Sequence, residues 1–259
     1  MTAALEELAT TLGPLVFLVS VRVGLALAMM PAPFGGMSPT VVRAVLGVAI
    51  ALAITLPHHG ALPPPSLDIV ALGVMALGEA LVGFVIGLTV RVTLAASNVA
   101  GSLSGFSMGL GYAESIDPQL GETSLAVSQL FGMLAAAFFL FLGGHHVVLR
   151  TLSATVASLP PGRTFAILAE GDVVGIGSEL MAQGLRIAAP VVATLFIVQL
   201  GMGLVARSAP RVQIFALSFA VAATAGLTTL VIAAPSLAAA IAGQVGRLDE
   251  ALAAALGVR

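Results

Sequence analysis

The segment Gly101–Ser124 reads GSLSGFSMGLGYAESIDPQLGETS and lies between two long apolar stretches, Leu67–Ala100 and Leu125–Leu142. It contains three acids, no basic residue and the only tyrosine of the chain, Tyr112. Glycine disfavours a helix, and backbone that leaves the helix cannot expose its polar groups to lipid. The segment therefore predicts backbone that lines something inside a membrane complex, not another lipid-facing span.

The composition places the chain among membrane proteins. Hydrophobic residues make up 59% of the sequence and charged residues 8%, with a mean hydropathy of +1.11. Soluble domains carry roughly 25% charged residues, so this chain is far outside their range. We interpret it as an all-α, polytopic membrane protein.

The charge and the cysteine count exclude several classes of function. Ten basic residues, all arginine, stand against twelve acids, so there is no basic surface for nucleic acid. The absence of cysteine excludes disulfides and thiolate chemistry. Glu6 and Glu7 replace the positive region of a secretory signal peptide, so we expect the N-terminus to remain on the protein.

Six stretches are long enough to cross a membrane, which takes about 20 mostly apolar residues. They are Leu12–Met30, Val41–Leu56, Ile69–Ala96, Leu125–Leu142, Ile187–Val205 and Val212–Ala234. Prolines and glycines separate them, because proline removes a helix donor and clashes with the preceding turn. The first two stretches therefore predict a helical hairpin.

The ends of the later helices follow from the same signals. We expect the fourth helix to continue past Leu142 and to end at Pro160–Pro161, and Pro210 to mark the turn between the last two spans. Ser236–Arg259 is rich in alanine and leucine and has one polar face. This pattern predicts a separate amphipathic helix at the membrane interface or bound to a partner.

Five ionisable residues interrupt the apolar stretches: Arg22, Glu79, Arg91, Glu179 and Arg186. Each costs about 2.5 to 3.5 kcal/mol at the centre of a membrane helix, so these side chains must face protein or water. Three explanations are open at this stage. The side chains form ion pairs or reach the interface, they contact other subunits, or they form an ion or proton relay.

Small residues recur at helical spacing in two places. Glu79, Gly83, Gly87 and Arg91 form one ridge of the third helix, which suits close contact with another helix. Ser97, Gly101, Gly105 and Gly109 recur in the same way. Either another backbone packs closely along this second ridge or the chain unwinds there, and Asp117–Pro118 must bend.

The sequence carries no sign of catalysis. It lacks a Walker loop, a nucleophile elbow and a zinc-protease motif, so we predict that the protein is not an enzyme. His145 and His146 are adjacent, project about 100° apart on a helix and have no third ligand nearby. We therefore predict neither a metal site nor a cofactor.

A set of short motifs runs through nearly the whole chain. They are Arg22–Gly24, Pro31–Gly35, Glu79 with Gly83 and Gly87, Ala100–Gly101, Met108–Leu110, Asp117–Pro118, Phe141–His146, Leu159–Pro160, Arg207–Pro210 and Ile214–Phe215. In order and spacing they resemble the FliR proteins of the bacterial flagellar export apparatus, whose injectisome relatives are the SctT proteins. The GGHH run at Gly143–His146 is more similar to the flagellar branch. Arg211–Gln213 and Phe219–Ala222 differ from the QMN and FPLK that are common in the family.

The resemblance implies a non-enzymatic subunit of the flagellar type III protein export gate. Its partners would be FliP-like, FliQ-like, FlhB-like and FlhA-like proteins, in the bacterial inner membrane within the flagellar basal body. One copy would join a helical hetero-oligomer around the pore through which unfolded flagellar polypeptides cross. Residues 1–176 would form a FliP-like part, and residues 177–259 a FliQ-like hairpin with the C-terminal amphipathic helix.

The resemblance also assigns roles to residues. A loop near residues 101–124 would plug the closed pore through Gly105, Phe106, Met108, Gly109, Leu110, Gly111, Tyr112, Asp117 and Pro118. Contacts between helices or subunits would use Arg22, Glu79, Gly83, Gly87, Arg91, Glu179, Arg186, Arg207 and Pro210.

Two alternatives remain at the level of sequence. The first is the corresponding gate subunit of an injectisome. The second is a secondary transporter or ion channel that uses Arg22, Glu79, Arg91 and Glu179 as a substrate or proton path. A transporter would act alone or as a homo-oligomer, whereas a gate subunit would need unlike partners.

Overall fold

The computed structural model of the chain describes residues 8–30, 39–58, 60, 62, 68–109, 123–161, 173–208 and 214–256. Within those ranges all regular structure is helical and there is no strand. The all-α prediction is confirmed.

The described residues form a succession of helices. A short π-helix, Leu8–Leu12, leads into α1 (Gly13–Met29), which is followed by α2 (Thr40–His58), α3 (Ile69–Ser107) and α4 (Thr123–Phe141). The remaining helices are α5 (Gly144–Ser158), α6 (Val173–Ser208), α7 (Ile214–Gly246) and α8 (Leu248–Leu256).

Among the described residues, five helical segments are long and apolar enough to cross a membrane. They are Thr10–Met29, Thr40–His58, Ile69–Ser107, Met181–Ser208 and Ala220–Leu256. The pair α4 and α5 would be a sixth span if counted as one, but it is bent by 63°. The predicted number of about six is confirmed.

The bend between α4 and α5 corrects one prediction. The fourth helix does not continue past Leu142, because Gly143 adopts a φ of +74°, a backbone conformation that residues with a Cβ rarely adopt. Gly143 then caps the start of α5. That helix ends at Ser158, just before Leu159–Pro160, as the prolines predicted.

Two other helix ends were also predicted wrongly. Helix α3 reaches Ser107, well beyond the expected Ala96. Helix α7 passes through Pro235 and ends at Gly246, so no separate helix begins at Ser236. Proline removes one hydrogen bond but its φ is helical, and a long apolar helix in a protein environment tolerates that loss.

The chain divides into two compact units. The first comprises Met1–Val92, Gly143–Ile176 and Arg247–Arg259. In it α1 and α2 pack as the predicted hairpin, and both α2 and α8 contact α5. Its core includes Leu15, Leu18, Val19, Val23, Val82, Ile86, Leu152, Val156, Leu248 and Leu252.

The last helix is amphipathic, as the sequence predicts, but its apolar face is already covered. Leu248, Leu252 and Leu256 are buried, while Asp249 and Glu250 are exposed. Helix α8 packs on α5 of the same chain. An intramolecular contact thus covers the apolar face of α8, and the interfacial or partner-bound setting of Ser236–Arg259 stays a prediction.

The second unit comprises Thr93–Leu142 and Gly177–Gly246. It contains the C-terminal part of α3, together with α4, most of α6 and α7. Helix α4 contacts α7. Gly184 of α6 lies against Ala96 and Val99 of α3, where a Cβ would come within 3.1 Å of the Ala96 carbonyl oxygen.

Candidate functional site

The first candidate cluster centres on Arg22, which the sequence places on the buried face of α1. Leu15, Leu18 and Val19 precede it on the same face and Ala26 follows one turn later, all fully buried. The Arg22 Nε donates to Oε2 of Glu79 at 2.7 Å, and Nη2 donates to the carbonyl oxygen of Leu159 at 2.8 Å. One guanidinium therefore joins α1, α3 and the chain that follows α5.

Two glycines on α3 bring its backbone close to α1. A Cβ on Gly83 would overlap the carbonyl oxygen of Arg22. One on Gly87 would come within 2.7 Å of the Ala26 carbonyl oxygen and 2.6 Å of the Met29 Cβ. Gly83 and Gly87 thus bring the backbone of α3 close to α1 within the chain.

The other residues predicted for helix or subunit contacts are exposed or lie outside the described residues. Arg91 is exposed and lies about 18 Å farther along α3 than Glu79, at 1.5 Å per residue. Glu179 is exposed and accepts a hydrogen bond from the Gln183 Nε2 at 2.7 Å. Arg186 and Arg207 on α6 are exposed as well, and Pro210 falls outside the described residues. Of the predicted buried charges, the structure brings together Arg22 and Glu79.

The second candidate cluster is the C-terminal part of α3. The sequence did not decide whether another backbone packs closely on this part or the chain unwinds there. Gly101 and Gly105 are buried within the helix. A Cβ on Gly101 would lie 2.6 Å from the Ser128 Cα and 2.8 Å from the Val127 carbonyl oxygen. Close packing against α4 therefore explains Gly101, and the helix does not unwind before Ser107.

This helical extension changes where the predicted plug residues lie. Gly105 and Phe106 belong to α3 and not to a loop. Met108 and Gly109 form the turn that ends the helix, with the Gly109 N–H donating to the Phe106 carbonyl oxygen at 2.9 Å. The predicted plug residues that follow fall outside the described residues, namely Leu110, Gly111, Tyr112, Asp117 and Pro118.

The bulky residues at this end of α3 have different surroundings. Phe106 is 71% exposed. Met108 is fully buried against α7, where its side chain occupies the position that a Cβ on Gly226 would take. In this conformation Met108 packs within the chain and is not exposed for sealing a pore.

Several residues at this site were not predicted from sequence. The Gln199 Nε2 on α6 donates to the Ser107 carbonyl oxygen at 3.2 Å. The Ser97 Oγ on α3 donates to Oε1 of Gln244 at 3.3 Å, and both side chains are buried. Gln199 and Gln244 are isolated amides in apolar stretches, and that was the signal available. The sequence provided no such signal for Gly226, because it does not show which side chain lies opposite this glycine.

The described residues offer no group of three ligands that could hold a metal ion. His145 and His146 lie with their ring centroids 4.1 Å apart, at the start of α5.

Comparison with known proteins identifies relatives over most of the chain. The family described as bacterial export proteins, family 1, matches residues 14–248. The flagellar biosynthetic protein FliR of Escherichia coli is 30% identical over 201 residues, 76% of each chain. FliR of Bacillus subtilis is 32% identical over 157 residues, 59% of this chain and 61% of that protein. The secretion system apparatus protein SsaT of Salmonella typhimurium is 29% identical over 168 residues, 62% of this chain and 63% of that protein.

Proposed function

The chain belongs to family 1 of the bacterial export proteins, and we propose from this membership that it is a non-enzymatic subunit of a flagellar type III export gate. The observation that carries the proposal is the family match over residues 14–248, together with relatives named as flagellar biosynthetic proteins. The helical membrane architecture is consistent with this role.

The proposed setting is the bacterial inner membrane within the flagellar basal body. There the chain assembles with FliP-like, FliQ-like, FlhB-like and FlhA-like proteins, and unfolded flagellar polypeptides pass through the shared pore. Residues 1–176 form the FliP-like part and residues 177–259 the FliQ-like part of the proposal. Exposed charges on α6 support unlike partners, because Glu179, Arg186 and Arg207 would be costly in contact with lipid.

The proposed plug is the glycine-rich segment that begins at the end of α3. Phe106, Leu110 and Tyr112 supply apolar bulk, and the glycines among them allow a close approach at a narrow axis. Such a constriction excludes ions by steric fill or dewetting, and it needs no covalent chemistry. Export then requires the segment to move aside.

The test removes bulk from the plug without touching the packed end of α3. One variant deletes Leu110–Ser115 and keeps Asp117–Pro118, and a second replaces Leu110–Ser115 by an equally long glycine-serine sequence. Both are co-expressed with the partner proteins, purified as complexes and reconstituted into planar membranes. We expect normal complex yield and raised ion conductance in both variants.

The two variants also separate bulk from length. A leak in the deletion alone would indicate that chain length keeps the pore closed. Assembled complexes with wild-type conductance in both would refute the plug role and leave the segment as a connector. Failure of the chain to co-purify with FliP-like and FliQ-like proteins would refute the gate-subunit role itself.

A second candidate function is the gate subunit of an injectisome, which the similarity to SsaT favours. The two systems differ in the polypeptides they export. Deleting the gene and measuring motility and secreted proteins distinguishes them. Loss of flagellin secretion and motility supports the flagellar role, whereas loss of other secreted proteins in a motile strain supports the injectisome role.

A further inference from the structure

An open cleft lies beside the contact between α5 and α8. Leu248 and Leu252 are buried on the face with which α8 packs on α5. Asp249 and Ala253 follow these leucines by one residue each, so the helical turn carries them to the side of the contact. Both are exposed, and both line the cleft.

The cleft is large enough for more than water. Its α5 wall includes Arg150, Ala154 and Ser158, which recur at every fourth residue and are exposed. Its volume is about 180 Å³. A single water molecule needs about 10 to 15 Å³ of such space, so the cleft admits a group of several heavy atoms.

The charges that line the cleft are one of each sign. Arg150 supplies the positive charge from α5, and Asp249 supplies the negative charge from α8. Within the part of the chain that the structure describes, the two side chains pair neither with each other nor with another side chain. A ligand that carries both signs therefore complements the cleft better than an ion of one sign.

The hydroxyl groups of the cleft add acceptors and no donors. The Ser158 Oγ donates to the Ala154 carbonyl oxygen at 3.2 Å, and the Thr155 Oγ1 donates to the Leu152 carbonyl oxygen at 2.8 Å. A hydroxyl has one donor, so toward the cleft both groups act as acceptors. Acceptors suit an ammonium group, whereas the guanidinium of Arg150 offers donors in the planar arrangement that suits a phosphate.

We propose that this cleft binds the headgroup of a phospholipid that carries a phosphate and a primary ammonium, as phosphatidylethanolamine does. Arg150 binds the phosphate and Asp249 the ammonium, while Ala154, Ala253 and the buried Leu256 contact the apolar part of the lipid next to its headgroup. The long apolar helices place the chain in a membrane, where such a lipid is available. The site goes beyond the proposed export role and does not depend on it.

The experiment measures lipid binding to the full chain, purified in detergent with the proteins that accompany it. Native mass spectrometry follows titration with phosphatidylethanolamine, phosphatidylcholine or phosphatidylglycerol of identical acyl chains. Arg150→Gln and Asp249→Asn each remove one charge from the cleft. Arg247→Gln and Glu250→Gln are the matched controls, because they remove the same charges from exposed positions that do not line it.

We expect phosphatidylethanolamine to bind more tightly than phosphatidylcholine, whose quaternary ammonium has no N–H to donate to Asp249. Asp249→Asn should abolish this preference. Arg150→Gln should weaken the binding of both lipids about tenfold, because it removes charge-assisted hydrogen bonds to the phosphate that they share. Arg247→Gln and Glu250→Gln should bind as the wild type does.

Three results of the titration would overturn the proposal. An equal loss of binding in the cleft variants and in their matched controls would show that any surface charge suffices. Tighter binding of phosphatidylglycerol, which has the phosphate without the ammonium, would contradict the pairing of both charges with one headgroup. Saturation by free O-phosphoethanolamine without retained lipid would exclude a lipid as the ligand.

A second measurement identifies the occupant of the cleft directly. The chain has no cysteine, so a photoactivatable benzophenone attached at Ala253→Cys labels this chain at one position. An adduct with the mass of a phospholipid supports the proposal. An adduct with another protein chain would overturn it, because a partner would then fill the cleft. Neither measurement uses protein export as its readout, so failure of the proposed function would leave the result unchanged.

Discussion

The Nε of Arg22 donates to Oε2 of Glu79 over 2.7 Å, and neither side chain has any exposed surface. The pair joins α1 to α3 at the point where Gly83 lets the two backbones approach. Charge and glycine act together here. Without Gly83 the two helices would stand too far apart for so short an ion pair. Either charge, buried without its partner, would lower the stability of the fold.

The first prediction concerns this ion pair. Glu79→Leu or Arg22→Met alone leaves one buried charge without its partner and should lower the free energy of unfolding by about 3 to 5 kcal/mol. The double variant should be more stable than either single variant, because an apolar pair avoids the desolvation cost. Thermal unfolding of the purified complex measures both effects.

The control for this cycle is Arg247→Gln, which removes an exposed arginine from the same unit. It should change the free energy of unfolding by less than about 0.5 kcal/mol. A double variant less stable than both single variants would show that Arg22 and Glu79 contribute independently.

The second prediction concerns glycine positions on α3. Gly83→Ala places a methyl group against the Arg22 backbone, so it should cost about 1 to 3 kcal/mol through overpacking. Gly73 lies on the same helix, where a Cβ would meet no atom within 4 Å. Gly73→Ala should therefore be neutral or stabilising by about 1 kcal/mol, from helix propensity alone. Yield and thermal midpoint of the assembled complex give the comparison. Equal effects of the two substitutions would contradict the close contact.

Much of this architecture was predictable because apolar length and small-residue spacing are local signals. The number of about six candidate spans follows from runs of about 20 apolar residues. The ridge of Glu79, Gly83 and Gly87 follows from their recurrence at every fourth residue. The sequence also required charges inside apolar stretches to face protein or water. It did not identify Glu79 as the partner of Arg22, since pairing over that sequence distance depends on tertiary packing.

The errors arose where one residue type has two structural uses. The sequence left close packing and unwinding open at Gly101 and Gly105, but both lie inside α3, and Gly101 packs against the backbone of α4. Glycine at Gly143 was expected to continue a helix, but it ends one through a left-handed φ. A separate helix was expected over Ser236–Arg259, but α7 continues through Pro235 to Gly246. At Gly101 the neighbour across the contact decides the outcome, and the sequence does not state that neighbour.

The third prediction tests the break between α4 and α5. Because Gly143 has a φ of +74°, Gly143→Ala should cost about 1 to 2 kcal/mol in backbone strain. Gly143→Asn should cost less, because asparagine visits the left-handed region more readily than alanine. Thermal midpoints of the complexes carrying each variant measure the difference. Greater stability of the alanine variant would indicate that the helix runs straight through this position.

The fourth prediction distinguishes two kinds of close contact between α3 and α4. Gly101 faces backbone atoms of Val127 and Ser128, whereas Gly132 faces the Oδ1 of Asn98, an exposed side chain. Backbone cannot move aside without shifting a helix, but an exposed side chain can. Gly101→Ala should therefore cost about 1 to 3 kcal/mol, and Gly132→Ala should cost less, since helix propensity returns about 1 kcal/mol.

Asn98→Ala provides the matched test of this difference. It removes the group that a methyl on Gly132 would meet, so it should restore the stability of Gly132→Ala to that of Asn98→Ala alone or above. The same substitution should leave the cost of Gly101→Ala nearly unchanged, because the Val127 and Ser128 backbone stays in place. Thermal unfolding of the three single and two double variants measures the coupling. Equal rescue at both glycines would mean that α3 and α4 separate as rigid bodies, and that neither contact is fixed by backbone.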